Sequence, residues 1–152
     1  MKCSEQVLVL FEEAYPDDDR PRTAIESARK WTRREIASDE ASKGAWAANN
    51  AACGKIGPAK YAAFSAGQTA VVPHVAAHEL GAAAYMLRAI KEAYGTGCRI
   101  NDVESECKWQ QDQLPMEIKD LVIEDGIKWS ESPERCIMPM ASIESNREKS
   151  RI

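Results

Sequence analysis

The segment Tyr15-Pro16-Asp17-Asp18-Asp19-Arg20-Pro21-Arg22 constrains the fold more than any other stretch of the chain. Pro16 lacks a backbone N–H and its ring clashes with the preceding helical turn, so a helix arriving from the N-terminus must stop there. Pro21 has the fixed φ that suits the first position of a new helix, and it disfavours the α region at Arg20 before it. The chain therefore turns between two helices within a few residues. Three carboxylates and two guanidiniums are crowded into that turn.

The flanks fit. Residues 4 to 15 carry Val7, Leu8, Leu10, Phe11, Ala14 and Tyr15 at helical spacing, with Ser4 placed to act as N-cap. The helix after the turn has an apolar face of Ala24, Ile25, Ala28, Trp31 and Ile36. Its charged face, Arg22, Glu26, Lys30 and Arg33, follows i, i+4 spacing. Both are amphipathic enough to pair as a hairpin.

A third helix is expected after Ser38, where Asp39 and Glu40 favour the N-terminal dipole, running to Cys53 before Gly54 and Gly57-Pro58. A fourth runs from about 58 towards Val72, and Pro73 kinks it or opens a fifth that ends at Tyr94-Gly95. Small residues recur through this half, from Ala45 and Ala48 to Gly67, Ala70, Gly81 and Ala84, a pattern that lets helix axes approach closely. Asn101-Asp102-Val103-Glu104 has the form of a capping box opening a sixth helix to Gln113. Leu114-Pro115 breaks it, and a short helix around Ile118, Leu121 and Val122 follows. No strand pattern persists. The sequence predicts an all-α, compact single-domain bundle of six or seven helices over residues 1–126, with an irregular, partly disordered tail over 127–152.

Composition excludes some functions. Among 152 residues the formal net charge is -4, which argues against general nucleic-acid binding and leaves room for a basic partner. The odd count of five cysteines, without CxxC spacing, suits reduced thiols in a cytoplasmic protein. No secretory leader is evident. The least polar region, 59 to 90, is interrupted by Lys60, Gln68, His74, His78 and Glu79, so no membrane span is expected.

Two constellations carry candidate chemistry. In the turn, Asp17, Asp18 and Asp19 can satisfy free N–H groups at the helix start and hold Arg20 or Arg22 in a bidentate pair. They can also dock a basic partner or contribute to a divalent cation site. His74 and His78, at i, i+4, share one helix face as two ligands of a zinc ion would. With Gly81 and Tyr85 further along that face, they equally suit a helix contact or a polar pocket. Glu79 lies outside the pair, so neither HExxH nor its inverse is present. Trp31, Trp46 and Trp109 are expected in the core and Trp129 at the surface. There is no Ser-His-Asp order, Walker-type loop or dinucleotide fingerprint.

Several stretches together resemble the Imm-five-like family of bacterial immunity proteins. They are Val9-Leu10-Phe11-Glu12-Glu13 leading into Tyr15–Arg22, then Ala24-Ile25-Glu26 and Ala28-Arg29-Lys30-Trp31. Ala66-Gly67-Gln68, His74-Val75 with His78, Gly81-Ala82-Ala83 with Tyr85, Trp109-Gln110, Leu114-Pro115 and Leu121-Val122 continue it. The resemblance covers residues 5 to 124. The chain departs from the pattern at Arg33-Arg34-Glu35-Ile36, where Arg-Gly-Glu-Ile is expected, and at Ala48-Asn49-Asn50-Ala51, where a histidine is lost. Val72-Pro73 also replaces the commoner Ala or Thr before His74. The resemblance implies an antitoxin that occludes a cognate protein toxin without catalysis or cofactor. The alternatives are a small metal-dependent enzyme or ligand-binding module, if His74, His78 and the Asp turn converge, and a structural unit whose Ala-rich faces form a homodimer.

Overall fold

A computed structural model describes residues 1–73, 78–95 and 100–131. Seven helices occupy them: α1 (Lys2–Glu12), α2 (Arg20–Thr32), α3 (Ser38–Ala52), α4 (Gly57–Val71), α5 (Glu79–Tyr94), α6 (Ile100–Asp112) and α7 (Met116–Glu131). No strand occurs among the described residues, and the fold is all-α. The expected boundaries of α1, α3, α4 and α6 hold to within a few residues, with Pro21 and Pro58 in the first turns of α2 and α4; α2 stops at Thr32, short of Ile36, and the expected opening of the fifth helix after Pro73 falls outside the described residues. Arg20 is already helical, one residue earlier than the proline rule suggests, a shift of the size at which helix ends fray. The last helix is longer than its periodicity suggested, continuing past Gly126 to Glu131. The remainder of the expected tail lies outside the described residues.

The chain divides into Met1–Glu106 and Cys107–Ile152. In the second unit the end of α6 closes on itself, the Gln113 N–H reaching the Trp109 and Gln110 carbonyls. Lys119 of α7 pairs with Asp112 at 3.1 Å. Met116, Ile118 and Leu121 of α7 are exposed.

The first unit is organised around α4, which packs against α1, α2, α3 and α5. Its sequence allows this: Ala59, Ala62, Ala63, Ser65, Ala66, Gly67, Thr69 and Ala70 are buried and small, so no side of the helix holds a neighbour away. Leu8, Ala24, Ile25, Ala45, Ala48, Ala66 and Ala70 form one apolar cluster beside it. Phe11, Val7 and Met86 are the bulkiest apolar side chains buried to under 2 % exposure. Helices α1 and α2 touch each other little and lean separately on α4. The expected hairpin is thus a pair of neighbours bridged by side chains rather than packed face to face.

Close approach is built on glycine at two seams. A Cβ on Gly67 would come within 2.4 Å of Asn49 Oδ1 of α3 and 3.2 Å of the Ala45 carbonyl. One on Gly81 would meet Gln68 Oε1 of α4 at 2.5 Å.

Ser4, expected as an N-cap, lies inside α1, fully buried. Its hydroxyl stands 2.9 Å from the Ser65 carbonyl, 2.8 Å from Ser65 Oγ and 2.7 Å from Thr69 Oγ1. Ser65 donates its only hydroxyl proton to the Ala82 carbonyl of α5 at 2.7 Å. Ser4 must then donate to Ser65, and Thr69 must donate to Ser4, because each hydroxyl has one proton. The chain Thr69 to Ser4 to Ser65 to Ala82 ties α1, α4 and α5 together in the interior.

Helix α2 ends in a Schellman motif: the Arg34 N–H reaches the Trp31 carbonyl and the Glu35 N–H reaches the Lys30 carbonyl. The motif needs a left-handed residue at its turn, and Arg34 supplies it at φ 61°. This is the position where the resembled pattern carries glycine. Arg33 and Glu35 pair across it, which holds the Glu35 carboxyl below its usual range.

The three tryptophans expected in the core are not fully buried. Trp46 is 71 % exposed: α3 packs through Ala41, Ala45, Ala48 and Ala52, and Trp46 projects from between those rows. Trp31 and Trp109 are half-buried. The side chain of Trp129 lies outside the described residues. Of the cysteines, Cys3 and Cys107 are half-buried and Cys53 is exposed; Cys98 and Cys136 lie outside the described residues.

Candidate functional site

Each acidic residue of the turn has its own role. Asp18 takes Arg20 in a bidentate pair, Nε to Oδ1 at 2.7 Å and Nη2 to Oδ2 at 2.6 Å. That hydrogen bonding holds the Asp18 carboxyl below its ordinary range, with the nearby Lys55 charge as a smaller contributor, and raises Arg20. Lys55, from the α3–α4 connection, sits 3.7 Å from the Tyr15 ring centre and closes the turn from below. Asp19 begins α2 through its carbonyl, which accepts from the Thr23 N–H, while its side chain makes no cap bond. Asp17 and Asp19 stay exposed. The lock falls to Asp18; Arg22 turns the other way.

Arg22 reaches back to α1, where Nε and Nη2 take both oxygens of Glu12 at 2.6 and 2.7 Å. That bonding raises the Arg22 guanidinium. One heptad further on, Arg29 of α2 pairs with Glu5 of α1. Glu5 and Glu12 are seven residues apart, as are Arg22 and Arg29, so the two ion pairs form rungs about 10 Å apart between antiparallel helices. Between the rungs lies a cleft of about 280 Å³ lined by Glu5, Leu8, Val9, Glu12, Arg22, Ile25, Glu26 and Arg29. This ladder was not anticipated, although the two heptad-spaced pairs are its signal in the sequence.

The imidazole of His78 stands at the start of α5, with Nδ1 2.7 Å from Gln68 Oε1. With the amide oxygen accepting, His78 Nδ1 is the donor in this contact. Gly81, one turn on, leaves the space in which Gln68 lies. Tyr85 packs against Phe64 and Tyr61, with centroids 5.1 and 6.5 Å away, and Arg88 stacks on Tyr61 at 4.9 Å. His74 lies outside the described residues.

The turn and His78 are not brought together. Lys55, beneath the turn, precedes Gly57 at the start of α4, whereas Gln68 is eleven residues along that helix, about 16 Å away by helical rise. Among the described residues no group of three His, Cys, Asp or Glu side chains is placed to hold a metal ion.

A family model described as Imm-5 like putative immunity protein matches residues 1–117. The chain belongs to this family. Comparison with curated proteins and with solved structures gives no match. The match to the immunity family spans α1 to α6, and so includes the acidic turn, the ladder, the cleft and the Gln68–His78 contact. Among the described residues of this immunity-family protein, no helix is long and apolar enough to cross a membrane.

Proposed function

We propose that the protein binds a cognate bacterial toxin in the cytoplasm and neutralises it by covering a surface the toxin needs. The observation that carries this is membership of the immunity family across 117 of 152 residues. The net charge of -4 and the two exposed carboxylates of the turn, Asp17 and Asp19, favour a toxin with a basic contact surface. Binding by occlusion calls for no cofactor and no reacting group. Co-expression with the toxin-like product of a neighbouring reading frame tests the proposal. Growth should be rescued and the two proteins should co-elute. A toxin that still kills, with no complex formed, would count against it, as would stoichiometric zinc that is lost on His78→Ala.

A further inference from the structure

We infer that the cleft between α1 and α2 is a socket for one lysine or arginine side chain of a partner protein; that the partner is a toxin rests on the function proposed above. Size argues first. About 280 Å³ falls just below the roughly 300–1,000 Å³ of small-molecule pockets, and suits a single anchoring side chain of the kind that dominates protein interfaces.

Chemistry selects which side chain. The floor is apolar, Leu8 at 6 % and Ile25 at 2 % exposure, and Val9 at 47 % presents a further apolar surface at the cleft. This is a bed for a methylene stem. The rungs commit Glu12 to Arg22 and Glu5 to Arg29. Glu26 also lines the cleft, is exposed, and has no ion pair or hydrogen bond among the described residues. Three carboxylates thus face two guanidiniums; Glu26 feels the Arg22 charge through space but has no bonded cation of its own. An apolar occupant would desolvate that carboxylate unpaired, and an acidic one would meet a like charge. A cationic head with an aliphatic stem satisfies both floor and wall. Because the rungs already hold their side chains across the gap, little ordering remains when the anchor arrives.

The test needs no knowledge of the toxin. The isotope-labelled full chain is titrated with N-acetyl-arginine amide and N-acetyl-lysine amide into the tens of millimolar, with N-acetyl-norleucine amide as the uncharged counterpart. Saturable amide shifts at Leu8, Val9, Ile25 and Glu26, absent with norleucine and lost in Glu26→Lys, are expected. Shifts that never saturate, that centre on Asp17 and Asp19, or that survive Glu26→Lys overturn the socket. Against a toxin that the wild-type chain neutralises, Glu26→Lys should weaken binding at least about 30-fold, the hot-spot scale, and Val9→Lys should do likewise. If wild type rescues growth and both variants bind as tightly, the socket is wrong and occlusion stands. If the cationic amides saturate the cleft but no toxin is bound, the socket stands and occlusion falls.

Discussion

Gly67 lies so close to Asn49 that a single methyl group on the glycine would come within 2.4 Å of the Asn49 amide oxygen. Among the described residues that oxygen is buried without a hydrogen-bond partner, so no bond seen there fixes it against the glycine. In a helix, alanine is worth about 1 kcal/mol over glycine, but overpacking costs about 1–3 kcal/mol. Because the Ala45 carbonyl also sits 3.2 Å away and cannot swing aside, Gly67→Ala should destabilise the fold by about 1–2 kcal/mol in urea unfolding. Adding Asn49→Ala should restore much of the loss, and a purely additive double mutant would refute the contact.

The buried hydroxyl chain predicts an order of effects. Ser65 donates to the Ala82 carbonyl, so Ser65→Ala takes that donor away, while Ser4 keeps the Ser65 backbone carbonyl as its acceptor. Thr69 only donates into the chain, and Thr69→Val keeps its shape. Leaving buried polar atoms unpaired costs about 1–3 kcal/mol. Ser65→Ala should cost more than the shape-conserving Thr69→Val when both are unfolded in urea. Equal losses would mean that the proton order is wrong.

Arg34 pays for its left-handed backbone. An L side chain there costs about 1–2 kcal/mol, part of which glycine would return as unfolded-chain entropy. Arg34→Gly should therefore stabilise by about 0.5–1 kcal/mol, a rise in Tm of about 2 °C for a chain of this size. Arg34→Val should lower it. A fall with glycine would show that the Arg34 side chain contributes something the backbone account omits.

Two carboxyl groups make opposite contributions as pH changes. Asp18 is held below its ordinary range by Arg20, so its stabilisation is present above that range and is lost as pH falls through the lowered value. Glu106 is raised from the ordinary 4.5 by burial, an effect only partly offset by the Gln6 hydrogen bond, and its Oε1 has no partner among the described residues. Its contribution favours the fold below the ordinary value and fades as pH rises through the raised one. Asp18→Asn should thus destabilise near neutrality and converge with wild type in strong acid. Glu106→Gln should stabilise near neutrality and lose that advantage below about pH 4. Urea midpoints across pH would show the two differences changing in opposite senses.

The helices were legible because glycine, proline and apolar period punctuate this chain clearly: Pro16, Gly54, Pro58 and Pro115 each fall between helices or in a helix's first turn. Which helix stands at the centre was not legible, since α3, α4 and α5 share the same small-residue pattern and sequence period does not report on how many sides a helix is covered. Trp46 was misread because bulk usually marks the core, whereas here the alanine row packs and the large residue is left outside. Ser4 was misread because a serine near a helix start is ordinarily local, and its partners lie 61 and 65 residues away. Within the candidate site, the turn was found but its three aspartates could not be told apart. Only the positions of Arg20 and Arg22 show that Asp18 takes the bidentate pair and that Asp17 and Asp19 stay exposed.

Because α1 and α2 lean on α4 and scarcely on each other, the outer faces that frame the cleft carry little of the burden of holding the bundle together. Surface letters on those two helices can be rewritten over generations while the small residues of α4 stay as they are. The rim and the scaffold are thus separable: exposed positions such as Val9 and Glu26 can change without disturbing the buried small residues of α4 beneath them.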